Sequence, residues 1–86
     1  MREHIKQCMK DFGIYNNLKG SYIIETNGKT YKRNGITQLD AFVFAYEKGK
    51  KNGSAYCYYV NCGEKALRPI FYIENNNVFL AHKLIL

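Results

Sequence analysis

The chain has 86 residues, 47% hydrophobic and 23% charged, which suits one folded domain and excludes a disordered tail or a membrane protein. Its formal charge of +6 favours acidic partners, either nucleic acid or an acidic protein surface. The longest uncharged apolar run, Ala41 to Tyr46, is too short to cross a bilayer, and charges among the first eleven residues argue against a secretory segment. We therefore expect a single domain over residues 1–86, cytoplasmic, with no membrane partner.

The first third of the chain predicts a helix followed by a hairpin. Apolar residues at helical spacing indicate a helix over residues 2–12, ended by Gly13. Strands over residues 21–26 and 29–33 follow. Asn27-Gly28 between them is a preferred two-residue type I′ turn, because both positions need a positive φ. The turn residues are expected to be exposed and the tip largely independent of the core.

This turn also fixes which hairpin residues share a face of the sheet. It places Tyr22 opposite Arg33 on one face, and Ile23 with Lys32 on the other. Glu25 falls on the same face as Lys32, so these two are expected to pair diagonally.

A second helix is predicted from about Gln38 to Lys48. Thr37, with Asp40 three residues later, resembles a capping box in which Asp replaces the usual Glu or Gln. The apolar stripe that follows repeats at helical spacing, and Gly49 is expected to end the helix.

The remainder of the chain predicts strands only. Strands are expected over residues 54–60, 67–74 and 78–85, with turns at 61–65 and 75–77. Pro69 indicates that the second of these strands lies at an edge or starts after the proline. The element order is then α-β-β-α-β-β-β. This order predicts an α+β fold with two layers, in which a mostly antiparallel sheet of about five strands carries both helices on one face.

No set of residues resembles a catalytic or metal centre. Cys57 and His82 are the only pair worth testing as a dyad, but Cys57 lies mid-strand between tyrosines, where a thiol usually packs as a small hydrophobe. Cys57 and Cys62 would face opposite sides of a continued strand, which does not suit zinc. The seven acidic residues are scattered. We expect no enzyme activity, no metal and no cofactor.

Two basic clusters and a tyrosine-rich strand are the candidate binding elements. The clusters lie on the hairpin and around the end of the second helix, and comprise Lys29, Lys32, Arg33, Lys48, Lys50 and Lys51. Because these elements are consecutive, the clusters could merge into one patch that attracts phosphates or an acidic protein. The alternative is a solvated hairpin tip and helix end.

The strand containing Tyr56, Tyr58 and Tyr59 must expose tyrosine on one face, because side chains alternate along a strand. If one sheet face is open, Tyr56 and Tyr58, or else Tyr59, would lie there with Tyr72 or Tyr31 nearby. Exposed tyrosines serve as protein-binding hot spots or as stacking platforms for bases. The alternative is that helices or a second copy of the chain cover both faces.

Composition bears on the origin of the chain. Asn, Lys, Ile and Tyr, which use AT-rich codons, make up 35 of the 86 residues. We therefore expect a low-GC bacterium, its phage or a mobile element. The predicted function is a small non-catalytic inhibitor or regulator that docks on a larger protein or nucleoprotein complex, in the manner of anti-defence proteins that act on CRISPR effectors. The alternative is a basic nucleic-acid-binding domain that uses the Lys/Arg patch and exposed tyrosines. Homodimerisation is open in either case.

Overall fold

The computed structural model describes residues 1–15, 17–80 and 83–85. Two helices and seven strands are present in these ranges: α1 (Arg2–Phe12), β1 (Lys19–Thr26), β2 (Lys29–Thr37), α2 (Gln38–Asn52), β3 (Ser54–Asn61), β4 (Glu64–Lys65), β5 (Phe71–Glu74), β6 (Asn77–Leu80) and β7 (Lys83–Ile85). The strands run in the order β2-β1-β3-β5-β6-β7, with β4 paired to β3, and each described pair is antiparallel. The predicted two-layer α+β fold and its element order are confirmed.

The hairpin of β1 and β2 has the predicted turn and register. Asn27 and Gly28 have φ values of 50° and 74°, as a type I′ turn requires. Tyr22 faces Arg33, and Ile23 faces Lys32. The second strand does not stop at residue 33, because the extra residue at Gly35 forms a bulge that lets pairing resume.

The hairpin tip is not independent of the core, contrary to expectation. Asn27 and Gly28 are exposed, but Thr26 beside them is buried. The Thr26 hydroxyl donates a hydrogen bond to the Ser54 carbonyl oxygen (2.7 Å) and accepts one from Asn52 Nδ2 (3.0 Å). These bonds tie the tip to the end of α2 and the start of β3.

The helix α2 begins as predicted and ends later than predicted. Thr37 is its N-cap and accepts a hydrogen bond from the Asp40 backbone N–H (3.2 Å). The helix then passes through Gly49 and ends at Gly53, which has a φ of 95°. Gly49 is buried against Ile73, so it permits close packing on the sheet and does not stop the helix.

The strands after β3 differ from the predicted ones. Cys62 and Gly63 form a tight turn with positive φ, and the short strand β4 pairs back on β3. Of the strand predicted over residues 67–74, only Phe71–Glu74 forms, so the strand starts after Pro69, as that proline indicated. The single strand predicted over residues 78–85 is wrong, because β6 and β7 are separate strands that pair antiparallel.

The core lies between the sheet and the helices. The largest side chains that are fully buried include Tyr22, Phe42 and Phe71, and Phe42 stacks on Phe71 with ring centroids 4.8 Å apart. The first helix packs mainly on α2, where Arg2 donates a hydrogen bond to Asp40 (2.6 Å). None of the described helices is long and apolar enough to span a membrane.

Candidate binding surfaces

The sheet face turned away from the helices carries a row of aromatic rings. Tyr56, Tyr72 and Phe79 occupy facing positions on β3, β5 and β6. Tyr56 and Tyr72 stack with centroids 5.5 Å apart and planes 25° apart, and Tyr72 and Phe79 stack at 4.5 Å and 9°. We call these three residues the aromatic row. The register explains it, since alternate residues Cys57 and Ile73 point into the core.

Tyr58 extends this open face toward the hairpin. It faces Ile23 on β1, which in turn faces Lys32 on β2. Lys65 of β4 places its Nζ atom 4.4 Å from the Tyr58 ring centroid and pairs with Glu25 Oε2 at 2.9 Å. The expected pairing of Glu25 with Lys32 is therefore replaced by one with Lys65, because β4 folds back over this corner. The open face is apolar at its centre and charged at this end.

Two tyrosines of the open face, Tyr56 and Tyr58, have raised pKa values. The Tyr56 hydroxyl donates a hydrogen bond to Glu74, and this bond, followed by burial, raises the pKa of Tyr56 to about 12. Burial, with the Glu25 carboxylate as a smaller cause, also raises the pKa of Tyr58. Glu74 accepts the one proton of the Tyr56 hydroxyl, so the oxygen of this group remains to accept hydrogen bonds at the edge of an apolar surface.

Two of the predicted basic residues meet at the opposite side of the sheet. Arg33 lies with its guanidinium carbon 4.9 Å from the Phe44 ring centroid and 5.7 Å from that of Tyr31. Lys48 Nζ lies 5.4 Å and 5.1 Å from the same two rings. Tyr31 and Phe44 are themselves in edge contact at 5.3 Å. The strand β2 and the helix α2 thus bring one cation each to a shared aromatic pair.

The other predicted basic residues are divided between the two sides. Lys32 is exposed beside the open face, opposite Ile23. Lys29 lies at the hairpin tip, on the rim of an open cavity of about 430 Å³ that Tyr56 also lines. Lys50 and Lys51 are exposed in the last turn of α2, which the Thr26 and Asn52 bond holds next to the tip. The six residues do not form one continuous patch with the tyrosines.

Two of the three thiols, those of Cys8 and Cys57, are buried and poorly placed for chemistry. Cys57 is 0% exposed, and this burial raises the pKa of its thiol to about 12, so the thiolate nucleophile is scarce at neutral pH. His82, its proposed partner, lies outside the described residues. Cys8 is buried, and burial followed by the charge of Asp11 raises its pKa. Within residues 1–15, 17–80 and 83–85, no three metal-ligating side chains come together.

Several residues of these surfaces were not singled out by the sequence. Phe79 and Lys65 join the open face only because β6 pairs with β5 and β4 folds onto β3. Phe44 supplies the ring that Arg33 and Lys48 share, and its helical spacing to Lys48 was the one available signal. Comparisons with protein-family models, curated proteins and solved structures found no match to this chain.

Proposed function

We propose that this chain is a non-catalytic cytoplasmic binding module that docks on a larger protein through the open face of its sheet. The observation that carries the proposal is the aromatic row, which the helices leave uncovered and which Tyr58 extends. Tyrosine-rich surfaces of this kind are typical anchors of protein interfaces. The AT-rich composition supports a phage or mobile-element inhibitor or regulator as the biological setting.

The orientation of the rings favours a protein partner over single-stranded bases. A base-stacking platform needs an aromatic ring whose face is free. Here Tyr72 has one ring stacked on each side, so its faces are occupied by Tyr56 and Phe79. At this central position the row offers a ring edge and a hydroxyl group, which suit contact with apolar side chains and backbone carbonyls of a partner.

Charge favours a different protein over a second copy of this chain. Each copy carries a formal charge of +6, so two copies repel one another at long range. On the open face, Lys65 is paired with Glu25, whereas Lys32 pairs with no carboxylate among the described residues. A partner with an apolar patch and an acidic rim complements this surface.

The test is an affinity capture from a low-GC bacterial lysate treated with nuclease, using wild type and two matched variants. Tyr58→Ala removes a ring from the open face. Tyr15→Ala removes the same ring from the loop after α1, where the residue is 79% exposed. We expect a protein, identified by mass spectrometry, that wild type and Tyr15→Ala retain and that Tyr58→Ala loses.

The affinity of that pair is then measured by surface plasmon resonance. An anchoring tyrosine should contribute about 1–3 kcal/mol, chiefly through a faster off-rate. Reversing the charges of Lys50 and Lys51 to Glu should slow association without unfolding the domain. Equal loss in both tyrosine variants, or loss of fold in Tyr58→Ala by circular dichroism, contradicts the open-face proposal. A concentration-dependent dimer lost with Tyr58→Ala would identify a second copy as the occupant instead.

A further inference from the structure

The edge of the molecule formed by β2 and α2 is a second charged surface, separate from the open face. The strand β2 is the last in the sheet order, so one of its sides has no neighbouring strand among the described residues. Arg33 and Lys48 lie at this edge, over Tyr31 and Phe44. We call Arg33, Lys48, Tyr31 and Phe44 the basic edge.

Neither cation of the basic edge is neutralised within the described part of the chain. The ion pairs present there join Arg2 to Asp40 and Lys65 to Glu25. Arg33 donates one hydrogen bond, to the Lys32 carbonyl oxygen at 3.0 Å, which leaves most of its donors free. Two unpaired cations are thus held side by side on a rigid helix and strand.

The aromatic pair orders these cations before any ligand arrives. A guanidinium or ammonium group over an aromatic face is attracted by the ring quadrupole. Long basic side chains otherwise lose much rotamer freedom on binding. Arg33 is exposed and donates one N–H to the Lys32 carbonyl, so its remaining donors are available to two oxygens of one phosphate.

The positive charge continues along the edge toward the hairpin tip. Lys51 follows Phe44 and Lys48 on the same helical stripe, since these positions are spaced by four and then three residues. Lys29 lies four residues before Arg33 on β2 and is exposed. The edge therefore carries two cations within about one turn of α2 and two more that are four residues apart on β2.

We propose that the basic edge binds the phosphodiester backbone of a nucleic acid, without reading its sequence. Charges repeated along an extended edge match a ligand whose own charges repeat. The basic edge offers an acidic protein little apolar anchorage, because the cations cover the rings of Tyr31 and Phe44. This site goes beyond the proposed protein docking and lies on another side of the sheet. Either proposal can therefore be refuted without refuting the other.

Fluorescence anisotropy with labelled short duplexes and single strands, read over a range of salt concentrations, tests the proposal. The test variant is the double substitution Arg33→Gln with Lys48→Gln. The matched control is Lys6→Gln with Lys10→Gln, which removes the same charge from exposed positions on α1. Loss of two phosphate contacts should weaken duplex binding on the order of tenfold to a hundredfold near 0.1 M salt, and make the salt slope shallower by about 1.8.

The possible outcomes distinguish binding at the basic edge from non-specific attraction by the net positive charge of the protein. Selective loss in the test variant, with Tyr58→Ala unaffected, supports the basic edge. Equal loss in test and control variants, or no binding by wild type, overturns it. If polyglutamate competes as well as nucleic acid and depends on the same two residues, the ligand is an acidic protein surface and the phosphate assignment is wrong. If the double variant has a lowered melting temperature, Lys48→Gln alone should still make the salt slope of duplex binding shallower by about 0.9.

Discussion

Replacing Gly49 by Ala tests how closely α2 lies on the sheet. In an exposed helix the change would stabilise the protein by about 1 kcal/mol, because Ala restricts the unfolded chain more than Gly does. Gly49 is instead buried, in the last turn of α2. A methyl group there would overlap Ile73 Cγ2, and it would lie 3.2 Å from Ile73 Cβ and 3.4 Å from the Ala55 backbone nitrogen.

The free-energy cost of this steric overlap should exceed the stabilisation that the higher helix propensity of Ala provides. Overpacking a close-packed core costs about 1–3 kcal/mol and occasionally more. Relief is restricted here, because Ile73 is β-branched on a central strand and the next contact is the backbone of β3. With a cost near 3 kcal/mol and a gain near 1, Gly49→Ala should destabilise the fold by about 2 kcal/mol. The melting temperature should then fall by about 8–16 °C.

Urea unfolding of the single and double variants measures the change in the free energy of unfolding that Gly49→Ala causes. Ile73→Ala alone should cost about 2–5 kcal/mol through the cavity it leaves. Combined with Gly49→Ala, it removes the overlapping methyl, so the double variant should be more stable than the sum by about 1–3 kcal/mol. A comparison of Ala and Gly at the exposed neighbour Lys50 calibrates helix propensity. A stabilised Gly49→Ala protein, or strict additivity with Ile73→Ala, would refute the close approach.

Three further outcomes are expected. Gly28→Val should lower the urea midpoint, since a β-branched residue resists the φ of 74° in this turn, and an unchanged midpoint would contradict the type I′ assignment. Because the pKa of Tyr56 is raised in the folded state, its contribution to stability is present below about pH 10 and lost as the pH rises through about 12; Glu74→Gln should lower that pKa in a spectrophotometric titration. The Arg2 hydrogen bond, then that of the N-cap hydroxyl, lowers the pKa of Asp40, so this contribution is present above about pH 3.9 and lost as the pH falls through the lower folded value; Arg2→Ala should raise the pKa measured by NMR.

Local signals predicted the parts of the fold that depend on a few neighbouring residues. Asn27-Gly28 determined both the turn and the register of β1 and β2. The prediction that Gly49 ends α2 was wrong, because glycine can either end a helix or permit its close packing. Only the position of Ile73, on a distant strand, distinguishes the two roles. The final strand was predicted too long because an apolar run does not reveal where the chain reverses.

The candidate surfaces depended on pairings between distant segments. The predicted register already placed Lys32 and Arg33 on opposite faces of the hairpin, although both were assigned to one basic cluster. The aromatic row required Tyr56 to face Tyr72 and Tyr72 to face Phe79, which depends on strand order. Strand order is decided by the whole core, and no short motif near Phe79 encodes it.

The three cysteines lie at different depths in the fold, so the reactivity of each thiol reports the local unfolding of a different part of the molecule. Cys62 is exposed in the turn between β3 and β4, Cys8 is covered by the packing of α1, and Cys57 lies fully buried in the central strand. A thiol-specific reagent should therefore modify Cys62 at once, Cys8 when the first helix detaches, and Cys57 only when the sheet itself separates. The modification rates of the three thiols, measured with and without a ligand, would show whether the first helix or the sheet opens more readily when the ligand binds.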